Sequence, residues 1–175
     1  MSTLAFSLTI VLFVIFLFIA FTYISNKQKK KAAAMLLWRL NKSGSENNLI
    51  FSCRELLNDT GIGVDTAKLK LLFLQQGGQY TYEWNIIDLN LITGCSVKKI
   101  YKPAYEGNSS DKNLENYLDK IVLHFEFSDY RTPVEIKFYK HITNNIFEMQ
   151  ELENKASKWQ ALVCKMIEDK LTLAV

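Results

Sequence analysis

Chemistry in this chain would have to come from few side chains. His124 and His141 are the two histidines; either could move a proton near neutral pH if a carboxylate or carbonyl held its tautomer. His124 reads as the outward face of a strand and His141 as part of the loop after the next, with no Asp or Glu placed to orient either. Cys53, Cys95 and Cys164 are odd in number, widely spaced and outside any CxxC or Cys/His metal pattern. They read as small buried or half-buried hydrophobes of a reducing compartment. The acidic pairs Glu151/Glu153 and Asp111/Glu115 could serve acid–base or metal chemistry, but they read as solvated faces. Gly61-Ile62-Gly63 is too short to cradle phosphate, and no GxSxG, HExxH, P-loop or GxGxxG occurs. No catalytic residue, cofactor-binding residue or metal ligand is assigned, and an enzyme is not expected.

The elements that would carry a function are better marked. From Leu4 to Ile24 the chain reads LAFSLTIVLFVIFLFIAFTYI, 21 uncharged residues that would span about 30 Å as a helix. No basic residue precedes this run and no small-x-small site ends it, so it reads as a retained single-pass transmembrane anchor rather than a cleaved signal. Lys27, Lys29, Lys30 and Lys31 follow, and Lys27 to Lys42 carries six positive charges and no acid. Positive charges resist translocation, which predicts a C-terminal body on the cytoplasmic side of a cell inner membrane. The same four lysines would contact the membrane surface through anionic headgroups. The expected organisation is an anchor over 1–25, a basic juxtamembrane helix or linker over 26–46, stopped by Asn41, Ser43 and Gly44, and a domain over 47–175.

The chain beyond the basic segment is not itself basic: over residues 43–175, 15 basic residues face 18 acids and are dispersed among them, so nucleic acid is not an expected partner. Its periodicity is that of short strands. Gly61 to Val64 and Leu69 to Gln75 flank a turn at Asp65–Lys68, and a third strand, Gln79 to Ile86, puts Tyr80, Tyr82 and Trp84 on one face, read as a core face. Ile87 to Ile92 is ambiguous, Cys95 to Tyr101 is a strand, and residues 104–117 form a polar loop. Ile121, Leu123, Phe125 and Phe127 then alternate with Val122, His124 and Glu126, and Val134, Ile136 and Phe138 with Glu135, Lys137 and Tyr139. The hairpin register predicted from charge sets Glu126 beside Lys137. Met149, Leu152, Ala156, Trp159, Val163 and Met166 mark one buried face of a terminal helix, begun by an Asn145/Glu148 capping box and anchored by Trp159.

The expected fold class is α+β: an N-terminal transmembrane helix, then an antiparallel bent sheet or barrel of six or seven strands closed by a C-terminal amphipathic helix. GIGVD leading into KLKLLFL, IIDLNLITGCSVKKIY, the pair IVLHFEF and VEIKFY, and ENKASKWQALVCKMI with its Trp159 together resemble the pleckstrin-homology-like (PH-like) superfold. More narrowly, they resemble small bacterial membrane-anchored proteins with a PH-like domain, over roughly residues 49 to 171. The resemblance implies ligand contact at the first hairpin, where Lys68 and Lys70 stand. No Arg follows them and Asp65 sits close by, so a phosphoinositide is not the expected ligand. The expected function is a non-catalytic membrane-anchored interaction module that docks a protein, or secondarily a lipid, at the cytoplasmic face, with the lipid bilayer and an unidentified protein as partners. The alternative is a bitopic structural subunit of an envelope or secretion assembly.

Overall fold

The computed structural model describes residues 3–77, 81–103, 116–128 and 132–173. Helix α1 spans Thr3–Glu46, followed by strands β1 (Cys53–Leu56), β2 (Thr60–Asp65), β3 (Lys70–Gln76) and β4 (Tyr82–Asp88). A short 3-10 turn, Leu89–Leu91, leads to β5 (Ile92–Pro103), β6 (Asn116–Phe127) and β7 (Val134–Lys140). A second 3-10 turn, Ile146–Glu148, opens helix α2 (Met149–Leu173).

The strands form two antiparallel sheets, β1-β2-β3-β4 and β5-β6-β7. The expected barrel is therefore corrected: no closed barrel forms among the described residues. The break is local. Asp88 accepts a hydrogen bond from Asn90 N–H at 2.9 Å, which turns the chain out of β4 before β5 begins and leaves the two strands in separate sheets.

Between the sheets lies the main core, built from Ile62, Val64, Leu71 and Ile87 on one side and Ile121, Leu123, Phe125 and Ile136 on the other. Helix α2 packs Leu152, Ala156, Trp159, Val163 and Met166 into it, as the 3-4 spacing predicts. The capping box is formed: Asn145 Oδ1 accepts from Phe147 N–H at 3.1 Å and Glu148 Oε2 accepts from Asn145 N–H at 3.3 Å. It caps the 3-10 turn that leads into α2.

Among the described residues, no helix is long and apolar enough to cross a membrane. The side chains of residues 1–12, which hold the first part of the expected anchor, lie outside the described ones. The single-pass anchor, and with it the inner-membrane placement with a cytoplasmic body, is corrected because no such helix occurs among the described residues.

The C-terminal half of α1 is a packed element. Leu36 and Leu40 join Leu49, Leu72 and Leu74 in a second core on the outer face of the first sheet. The helix runs past the expected stop to Glu46 and ends with Asn48 in the left-handed region at φ 56. Leu49 N–H donates to Gly44 O at 2.8 Å and Asn48 N–H to Ser45 O at 3.0 Å, so asparagine fills the place usually taken by glycine at a helix end.

The β6–β7 register also differs from expectation. His124 stands opposite Glu135 and Val122 opposite Lys137, with an irregularity between Ile121 and Val122. The extra residue is Phe138, and the bulge turns both Phe138 and Tyr139 into the core. Glu126 has Lys98 of β5 as its cation, at 3.7 Å, in place of Lys137.

Candidate interaction surface

Lys68 and Lys70 do not converge on a common point. Lys68 Nζ donates to the carbonyl of Asn48, while Lys70 stands in register with Asp65 on one side and Asp88 on the other. Asp65 itself is buried. Its carboxylate accepts from Ile50 N–H at 2.8 Å and Lys68 N–H at 2.9 Å, and these bonds hold its pKa below the ordinary carboxylate value. This hairpin is braced from within.

His124 is buried, contrary to the outward placement expected. Its Nδ1 lies 3.3 Å from Glu135 Oε1 and its Nε2 lies 3.6 Å from Glu126 Oε1, so carboxylates do orient it, brought there by the register. Ser96 stands opposite His124 in the β5–β6 register, and no group of three His, Cys, Asp or Glu suited to a metal occurs among the described residues. His141 is exposed, with its ring centroid 4.9 Å from that of Tyr117. Glu153 pairs with Lys99 at 2.8 Å and Glu151 with Lys155 at 3.0 Å, whereas Asp111 and Glu115 lie outside the described residues.

Cys53 is exposed, which corrects its reading as a buried or half-buried hydrophobe; Cys95 is buried and Cys164 half-buried. Burial, with Cys164 nearby, pushes the Cys95 thiol up to about 12. A thiol held protonated in this way is a poor nucleophile.

The aromatic row on β4 behaves differently from a core face. Tyr80 lies outside the described residues, Tyr82 is half-buried, and Trp84 is 50% exposed. Facing it across the second core is Trp38 of α1, 59% exposed. A cleft of about 240 Å³ opens here, lined by Trp38, Arg39, Lys42, Ser43 and Glu46 from the helix and Leu74, Tyr82 and Trp84 from the sheet. Arg39 stacks its guanidinium 4.3 Å from the Tyr82 ring centroid, and Lys42 Nζ stands 5.3 Å from that of Trp38. Such cation–π contacts orient both cations along the cleft wall. Buried Arg39 Nε has no hydrogen-bond partner among the described residues.

Two glycines lie on this face of the sheet, one under the helix and one under Phe51. A Cβ on Gly61 would stand 3.5 Å from Leu36 and from Leu40, and one on Gly63 would stand 2.7 Å from the Phe51 ring. Alternation puts Gly61 and Gly63 on the face that α1 covers, so GIG serves packing. Its period of two was the available signal that something large lies on that face. Trp38, Arg39 and Lys42, at helical spacing within the segment expected as a helix or linker, carried a second signal, a stripe along one side of α1.

Compared with known proteins, the chain matches no family model, no curated protein and no solved structure.

Proposed function

We propose that this chain is a non-catalytic interaction module that docks a protein partner in the cleft between Trp38 and Trp84. The observation that carries this reading is composition at one place: two half-exposed tryptophans, a tyrosine and an arginine with an unsatisfied buried N–H share one cleft. Trp, Tyr and Arg dominate the binding energy of protein interfaces because they combine large apolar area with a polar handle. The cleft holds two cations against one carboxylate, Glu46, which lies 3.9 Å from Lys42. A partner segment carrying a carboxylate beside an aromatic or aliphatic side chain would satisfy Arg39 and cover both indoles.

A fluorescence titration tests it. Acidic peptides with one aromatic residue should shift the emission of Trp38 and Trp84, while buried Trp159 supplies a constant background. Neutral scrambled peptides should not, and Arg39→Gln should weaken binding by about 1–3 kcal/mol. No response to any peptide, or equal binding by Arg39→Gln and Trp84→Ala, would overturn the reading.

A further inference from the structure

We propose that one pole of the molecule, formed by the turn between β7 and α2 and the lysine-bearing stretch of α1, docks on an anionic lipid surface. Ile142, Ile146 and Phe147 are 79%, 61% and 89% exposed. Three large apolar side chains offered to water within six residues form a patch of the kind that monomers usually reserve for a contact.

The turn holds them out by construction. Lys140 N–H donates to Asn144 Oδ1 at 2.9 Å, Phe147 N–H to Asn145 Oδ1 at 3.1 Å, and Asn58 Nδ2 to Glu148 Oε2 at 3.1 Å. Apolar groups presented on a braced turn lose little conformational entropy on insertion.

The lysines lie on the same side. A cleft of about 520 Å³ separates the turn from α1 and is lined by Lys29, Ala32 and Ala33 on the helix and by Thr143, Asn145 and Glu148 on the turn. Lys27, Lys29, Lys30 and Lys31 are exposed, and the first acid of the whole chain is Glu46. From the turn, Glu148 is the acid facing them, and its Oε2 accepts from both Asn58 and Asn145. Apolar tips beside clustered cations are the two halves of interfacial lipid contact: the tips enter the headgroup–acyl boundary and the lysines meet anionic headgroups. The contact lies in the plane of the interface and requires no span.

The opposite pole supplies the control. Glu148 at the start of α2 meets the β1–β2 loop at Asn58, whereas the β2–β3 turn, with exposed Thr66, lies beside Met166 and Lys170 near the other end of that helix.

The test uses the full chain in a Cys53→Ser/Cys164→Ser background, with an environment-sensitive dye at Thr143→Cys or Thr66→Cys. It is mixed with vesicles carrying headgroup spin labels, made of phosphatidylcholine alone or with phosphatidylserine. Phosphatidylserine vesicles should quench the dye at 143 and leave that at 66 unaffected. Replacing the four lysines by Gln should lower vesicle partitioning at least tenfold, and Ile142→Ser/Ile146→Ser/Phe147→Ser should abolish quenching at 143 without changing the far-UV spectrum. Equal quenching at both sites, quenching independent of phosphatidylserine, or an unquenched dye at 143 on bound protein would overturn the proposal. Protection of that dye by an acidic polypeptide instead of vesicles would overturn it in favour of a protein partner.

Discussion

The ring of Phe51 occupies the space that a side chain on Gly63 would need: a Cβ there would stand 2.7 Å from Cδ1. The other edge of the ring lies against Gly44, where a Cβ would be 2.5 Å from Cε2. One aromatic ring thus sits between the end of α1 and β2, and both glycines are read by the same residue.

Gly63→Ala should destabilise the protein by about 1–3 kcal/mol through overpacking. Gly44→Ala should do the same, although alanine in a helix ordinarily gains up to about 1 kcal/mol over glycine. Urea unfolding checks both. Phe51→Ala/Gly63→Ala should be more stable than the sum of the single effects allows, because removing the ring removes the clash. Strict additivity would show that the ring is not the obstacle.

Trp159 is buried in the main core beside Val163 and Leu152. Trp159→Ala should lower stability by about 3–5 kcal/mol, with loss of the near-UV signal at a temperature where the wild type is folded. A loss below 1 kcal/mol would mean that α2 contributes little to the core.

Asp65 links the β2–β3 hairpin to the chain leaving α1 through Ile50 and Lys68 N–H. Its folded-state pKa lies below the ordinary 3.8. The stability it contributes is therefore present in full above that unfolded value and is lost as pH falls through the lower folded value. Asp65→Asn keeps one acceptor oxygen for two donors and should lose about 1–3 kcal/mol at neutral pH. Denaturant midpoints of the two proteins should converge on acidification, and a pH-independent gap would assign the effect to packing alone.

The three thiols should separate by accessibility. Cys53 is exposed and Cys95 is buried, with its pKa raised to about 12. Iodoacetamide at mildly alkaline pH should alkylate Cys53 promptly and leave Cys95 unmodified until the protein is unfolded, as peptide mass mapping would show. Early modification of Cys95 would contradict its place in the core.

The sequence by itself determined much of the local structure. The alternation in β6 and β7, the turn at Asp65–Lys68, the Asn145/Glu148 cap and the 3-4 stripe of α2 all lie where spacing puts them, because each depends on contacts within a few residues. Only tertiary structure decided which second faces are covered. The helix α1 lies on Gly61 and Phe51 on Gly63, His124 is drawn between Glu126 and Glu135, and Glu126 meets Lys98 of β5 where charge along the hairpin alone would have chosen Lys137. The same holds for the candidate site. Trp38 and Trp84 are 46 residues apart, and they share a cleft because Leu36 and Leu40 of α1 pack against Leu72 and Leu74 of the sheet. Periodicity reports the side of an element that turns away from water, but the partner on that side depends on long-range packing that no local pattern records.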